Sequence, residues 1–178
     1  MKRWILSALL VIAFNAGRAQ YKPAEQGSAL TFTIKNLGFD VNGTFGGFDG
    51  TINFDPHNPS AAKFDVTLDA ATVNTDNSLR DEHLKGDGFF DVKKFPRIQL
   101  VSGKVAATGK ADTYRFTGQL IIKGTSRPVE FPFTATPLAD GFIFKGSFRL
   151  NRKDFKVGGT STVSDELNVS IVTVAKKV

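Results

Sequence analysis

From Ser28 onward the chain alternates apolar and polar residues almost without interruption, and this period of two constrains the fold more than any other feature. Leu30, Phe32 and Ile34 alternate with Thr31, Thr33 and Lys35. Ala62, Phe64, Val66 and Leu68 alternate with Lys63, Asp65, Thr67 and Asp69. Tyr114, Phe116, Gly118, Leu120 and Ile122 form a third run, Val129, Phe131, Phe133 and Ala135 a fourth, and Phe142, Phe144, Gly146, Phe148 and Leu150 a fifth. Leu167, Val169 and Ile171 form a sixth, which blurs where Val172 and Val174 flank Thr173. Each run reads as a strand with one apolar face. Val41 to Phe54, punctuated by Gly43, Gly46, Gly47 and Gly50, predicts a bent strand. Ile98 and Leu100 open another, whose parity slips near Gly103 before Val105. Short turn signals such as Asp140-Gly141 imply antiparallel neighbours. Eight such strands close into a barrel, which removes exposed edges and leaves an interior able to hold one small ligand.

The first nineteen residues stand apart. Lys2 and Arg3 precede an apolar stretch from Trp4 to Phe14, and Ala19 offers a small-residue cleavage position. This order predicts a secretory signal peptide over 1–19 and one domain over 20–178. The stretch is shorter than the roughly 20 apolar residues of a membrane helix, and no later run is long enough, so no integral membrane span is expected. Cleavage would take Lys2, Arg3 and Arg18 with it and halve the formal net charge of +6, which argues against a nucleic-acid partner. The chain has no Cys, which excludes a disulfide framework and a thiol nucleophile. An exported chain of this kind fits a bacterial periplasm or exterior. With His57 and His83 the only histidines, no metal site and no cofactor are expected.

Residues 76–85 break the alternation. They predict a short helix capped by Ser78, with Asp81 in a near capping-box position and Gly86 at its end. The Phe-rich segment Gly88 to Pro96 follows, and both are placed as a lid at one mouth of the barrel. His83 beside Asp81 is the one catalytic constellation to weigh; on a short helix such neighbours more often make caps and surface ion pairs, and no catalytic residue is assigned. The 17 Phe against 2 Tyr and 1 Trp supply much wall and few polar handles. They also argue against an outer-membrane barrel, whose lipid-facing belt prefers Tyr and Trp. Rings alone leave a lined tunnel and a solid core equally open.

Several ordered motifs are similar to the YceI-like proteins, a bacterial lipocalin-like family of polyisoprenoid binders. They are Ser28–Lys35; Val41–Phe45 with Phe48–Ile52; Leu79-Arg-Asp-Glu-His-Leu-Lys85 with Phe89-Phe-Asp-Val92 and Phe95-Pro96; Gly118–Gly124 with Arg127-Pro128; and Asn151-Arg-Lys-Asp-Phe155. The chain departs from the family pattern at Gly86-Asp-Gly88, in the lid, and at Lys156, where Gly is common. The resemblance implies an eight-stranded antiparallel lipocalin-like barrel whose apolar tunnel binds a long-chain isoprenoid or other apolar lipid, without a reaction. The residues expected to line it are Phe32, Ile34, Phe45, Phe48, Phe64 and Val66, then Leu79, Leu84, Phe89 and Phe90 of the lid. Leu100, Phe116, Leu120, Phe131, Phe133, Phe144, Phe148, Val169 and Ile171 complete the set. Arg80, Asp81, His83, Asn151, Arg152 and Asp154 would either pin the lid and barrel end or meet a headgroup. Lys123 and Lys145 are expected to be exposed and dispensable. The alternatives are a solid-core interaction or stress-response module and a lipid-modifying enzyme; a homodimer stays open.

Overall fold

The structure is a computed structural model and describes residues 19–160 and 162–178. The expected signal peptide lies outside the described residues but for Ala19. Eight strands follow in chain order: β1 (Gln20–Asn36), β2 (Phe39–Asn53), β3 (Lys63–Asn74), β4 (Arg97–Ala107), β5 (Thr113–Ile122), β6 (Thr125–Leu138), β7 (Gly141–Asn151) and β8 (Val163–Lys177). Each pairs antiparallel with the next and β8 returns to β1, so the barrel is closed, as the alternation predicts. Helix α1 (Ser78–Lys85) lies between β3 and β4.

Two of the tight turns at the helix end have φ above zero at both central residues, Leu37–Gly38 (50°, 86°) and Lys123–Gly124 (50°, 69°). Their twist matches that of the flanking strands, and Gly at the second position avoids the cost of a Cβ there. The expected parity slip in β4 is a register shift between Ser102 and Lys104. The expected bend in β2 is a broken ladder to β3 between Thr44 and Asp49. Opposite that break β1 also loses its pairing with β2, between Tyr21 and Leu30. There the Glu25 carboxylate accepts the Gly47 and Phe48 N–H groups at 3.1 and 2.9 Å, replacing absent ladder bonds. In β8 the blurred end keeps its parity: Thr173 and Ala175 are buried, while Val172 and Val174 remain half-buried.

The inward faces form two layers. At the end away from α1, Phe54 is the hub of a packed plug, with ring centroids 5.1 to 5.3 Å from Tyr114, Phe142 and Phe144. Towards α1 a second cluster, including Phe32, Phe45, Leu68, Leu120, Phe155 and Val169, lines the wall. Exposed positions on the outer face carry Lys63, Asp65, Arg115, Gln119, Lys145 and Arg149, the reverse of a lipid-facing barrel wall.

Two local expectations are corrected. Asn77, not Ser78, caps α1, its side chain accepting the Arg80 N–H at 2.9 Å. Lys123 is half-buried rather than exposed, and its Nζ donates to the carbonyls of Asp87 at 2.6 Å and Lys156 at 3.2 Å. Lys156 holds a left-handed conformation (φ 58°) as the cap of the 3₁₀ turn Arg152–Phe155, which explains why Gly suits this position.

Candidate functional site

Above the plug the barrel encloses a cavity of about 210 Å³. Its floor includes Phe64, Phe116, Phe133 and Phe144. The rings of Phe116, Phe131 and Phe148 stack in succession across β5, β6 and β7, at 4.9 and 4.7 Å, and make one wall. Along β8 the wall runs from Val163 to Thr173, which at about 3.3 Å per residue and a tilt near 40° spans roughly 25 Å of the barrel axis. The interior is therefore part solid and part hollow, and the choice between core and tunnel resolves into two layers.

The lid closes the end carrying α1. Leu84, Phe89 and Phe90 line the cavity, and Phe90 meets Phe45 edge-on at 5.2 Å. The lid backbone is tied to the β7–β8 connection by the Gly158 N–H, which donates to the Gly88 carbonyl at 2.9 Å. Arg152, 5% exposed, holds that connection in place. It donates to the carbonyls of Val157, Gly158 and Ser164 at 2.9 Å and Val163 at 3.0 Å, and to Asp165 Oδ1 at 3.1 Å.

Every apolar position expected from the sequence lines this cavity except Leu79, which is 83% exposed and is corrected to the outer surface of α1. A helix repeats every 3.6 residues, so Arg80 and Leu84 share the inward side while Leu79 and His83 share the outward one. The wall also contains Leu30, Ile52, Leu68, Ile98, Ile122, Leu150, Phe155 and Leu167, which the expected set omits. All but Phe155 lie on strand faces of the right parity; Phe155 sits in a 3₁₀ turn and carries no period-two signal.

The expected polar residues separate. Arg80 and Arg152 line the cavity. The Asp81 carboxylate accepts the Thr75 N–H at 2.9 Å and its hydroxyl at 2.5 Å, and is buried. Asn151 caps the 3₁₀ turn by accepting the Lys153 N–H at 2.9 Å, and Asp154 is exposed. His83 is also exposed, its ring 5.0 Å from Phe89. Among the described residues no hydrogen bond joins His83 to Asp81, and no cluster of three or more His, Asp or Glu is placed to hold a metal ion.

A closed eight-stranded antiparallel barrel with a short helix at one end and an apolar interior defines a lipocalin-like protein. The family model of the YceI-like domain matches residues 21–175. Protein YceI of Salmonella arizonae is 34% identical over 97% of this chain and 95% of its own. The chain belongs to the YceI-like family. Among solved structures, BcnA of Burkholderia cenocepacia superposes with a TM-score of 0.77 at 26% identity, covering 82% of this chain and 94% of that one. A polyisoprenoid-binding domain of Saccharophagus degradans, implicated in plant cell wall breakdown, shares the fold at a TM-score of 0.72 and 14% identity, covering 89% and 98%.

Proposed function

We propose that this protein binds and carries one long-chain polyisoprenoid, or a lipid with a similar tail, and performs no reaction on it. The observation that carries the reading is the lidded cavity, walled by stacked Phe rings and aliphatic side chains and closed below by the Phe54 plug. Burial of each tail carbon contributes about 0.8 kcal/mol, so a five-carbon unit gains roughly 4 kcal/mol before the costs of association. Membership of the YceI-like family and the polyisoprenoid-binding name of one fold neighbour support the same ligand class. The separation of His83 from Asp81 supports a carrier over an enzyme. The charged, apolar and small-residue order of residues 1–19 supports export, with residues 20–178 as the working domain. Slow release into water is expected, so protein purified from its own host should carry lipid. Native mass spectrometry and organic extraction test this. Protein that extracts clean and fails to bind a fluorescent isoprenoid refutes the reading.

A further inference from the structure

The barrel wall is weakly stitched along one seam. Between the pairs Tyr21–Ile52 and Leu30–Phe45 the ladder joining β1 to β2 is interrupted. Residues 25–28 of β1 also leave the ladder to β8, between Ala24 and Ala29. On its other side β2 loses register with β3 between Thr44 and Asp49. At about 3.3 Å per residue, the interruption from Phe45 to Ile52 runs for roughly 20 Å along the strand, longer than the cross-section of an isoprenoid tail.

The seam lies at the height of the cavity. Phe45, Phe48 and Ile52 of β2 line the cavity, whereas residues 22–29 of β1, across from them, do not. The Phe48 side chain therefore stands between the seam and the interior. It is half-buried. The neighbouring Phe45 ring packs on Phe32 and Phe90, but that of Phe48 packs on no other aromatic ring among the described residues. Gly47 and Gly50, at φ of 66° and 125°, flank Phe48 and Asp49, and a glycine turns through such angles without a Cβ penalty.

Side chains, not ladder bonds, hold this segment shut. The exposed Glu25 carboxylate accepts the Gly47 and Phe48 N–H groups at 3.1 and 2.9 Å. Towards β3, the exposed Thr72 hydroxyl accepts the Gly46 N–H at 2.8 Å. The lid is fastened differently, by the Gly158–Gly88 backbone bond, by Lys123 on the Asp87 carbonyl and by the buried Arg152 beneath the β7–β8 connection. Local opening occurs where buried contacts are few and hydrogen bonds face solvent, which describes the seam better than the lid.

We propose that the β1–β2 seam is a side entrance to the cavity: Glu25 releases Gly47 and Phe48, the Phe48 ring swings out between its two glycines, and the apolar tail passes through the wall while the lid stays closed. This rests on the tail-binding reading above and adds the route by which the tail enters and leaves.

The test follows a dansyl-tagged geranylgeraniol by stopped-flow fluorescence, on mixing and on displacement by untagged geranylgeraniol. The proteins are wild type, Glu25→Ala, Glu25→Gln and Lys123→Met, the last of which loosens the lid and touches neither cavity nor seam. In Glu25→Ala both association and dissociation should accelerate about 10- to 100-fold, the range set by losing hydrogen bonds to a charged acceptor. The dissociation constant should stay within about threefold, because the closed state still dominates. Glu25→Gln, which keeps one acceptor oxygen, should fall between, and Lys123→Met should match wild type. Unchanged rates in Glu25→Ala overturn the proposal, and so does an equal acceleration in Lys123→Met or a weaker affinity with no gain in association rate. Hydrogen exchange in wild type gives a reading that no variant's folding can disturb. The Gly47 and Phe48 amides should exchange at least about tenfold faster than the ladder amides of β5; equal protection overturns the side entrance. Failure of the tagged isoprenoid to bind wild type would instead overturn the tail-binding reading.

Discussion

Replacing Arg152 by Met keeps the length of the side chain and removes its donors. Five carbonyls, of Val157, Gly158, Gly159, Val163 and Ser164, then lose a charged partner, that of Gly159 on an exposed residue. Ser164 is exposed and Val163 half-buried, so water can reach both. Val157 and Gly158 are buried, and each unpaired acceptor there costs about 1–3 kcal/mol. Asp165 also loses its buried partner, although Lys153 Nζ still reaches the other carboxylate oxygen at 3.0 Å. The sum is about 3–5 kcal/mol, in line with breaking other buried charged networks. At roughly 2–4 °C per kcal/mol for a chain of this size, the melting temperature falls by about 6–20 °C. Urea unfolding followed by circular dichroism measures the stability. Hydrogen exchange at the Gly158 amide, which donates to Gly88, reports on the lid tie. A loss below about 1 kcal/mol, with that amide still protected, would refute the assignment of Arg152 as the pin between barrel end and lid.

Two further predictions address the wall and the plug. A Cβ added at Gly43 would lie 2.2 Å from Phe32 Cζ, so Gly43→Ala must swing that ring off the wall. A destabilisation of about 1–3 kcal/mol is expected from overpacking, with at least a tenfold loss of isoprenoid affinity; unchanged affinity in a folded variant would show that the ring does not border the ligand. At the other end, burial first, then the charges of Asp112 and Asp55, raise the Tyr114 phenol above its ordinary value of 10.0. The folded protein therefore favours the neutral phenol. Its contribution is complete below pH 10 and is lost as the pH rises through the raised folded value. Alkaline urea titrations should show Tyr114→Phe losing less stability than wild type above pH 10. Parallel curves would remove Tyr114 as the cause.

The strands and their inward faces were legible because a half-buried strand can satisfy its environment only by alternating, and Phe116, Leu120, Phe131 and Val169 obey that rule without exception. Helix α1 was legible as an element but not in its orientation. The family resemblance implied that Leu79 faces inward, yet the Thr75 donors draw Asp81 under the helix, and the 3.6 period then carries Leu79 out. Arg152 could be singled out from motif order, which left a pin and a headgroup contact both open. Its partners could not, because they are backbone carbonyls brought together by a turn with no periodic signature.

The depth of the tunnel was hidden for a different reason. It depends on where each ring lies once the barrel has closed, and part of that answer is held by inward glycines. Phe32 pairs across the ladder with Gly43, and its ring tip occupies the space a Cβ there would need. The Phe116 ring crosses Gly118 in its own strand, and the Phe131 ring crosses Gly146, at 2.7 and 3.0 Å from the corresponding Cβ positions. A ring that folds over a glycine lies along the wall instead of reaching the axis. Where no glycine receives them, rings from β5 and β7 meet that of Phe54, just past the end of β2, edge to face and fill the interior. The same residue type therefore builds both wall and plug. The difference lies in what each ring is given to rest on, a property of cross-strand register that no single run of alternation contains.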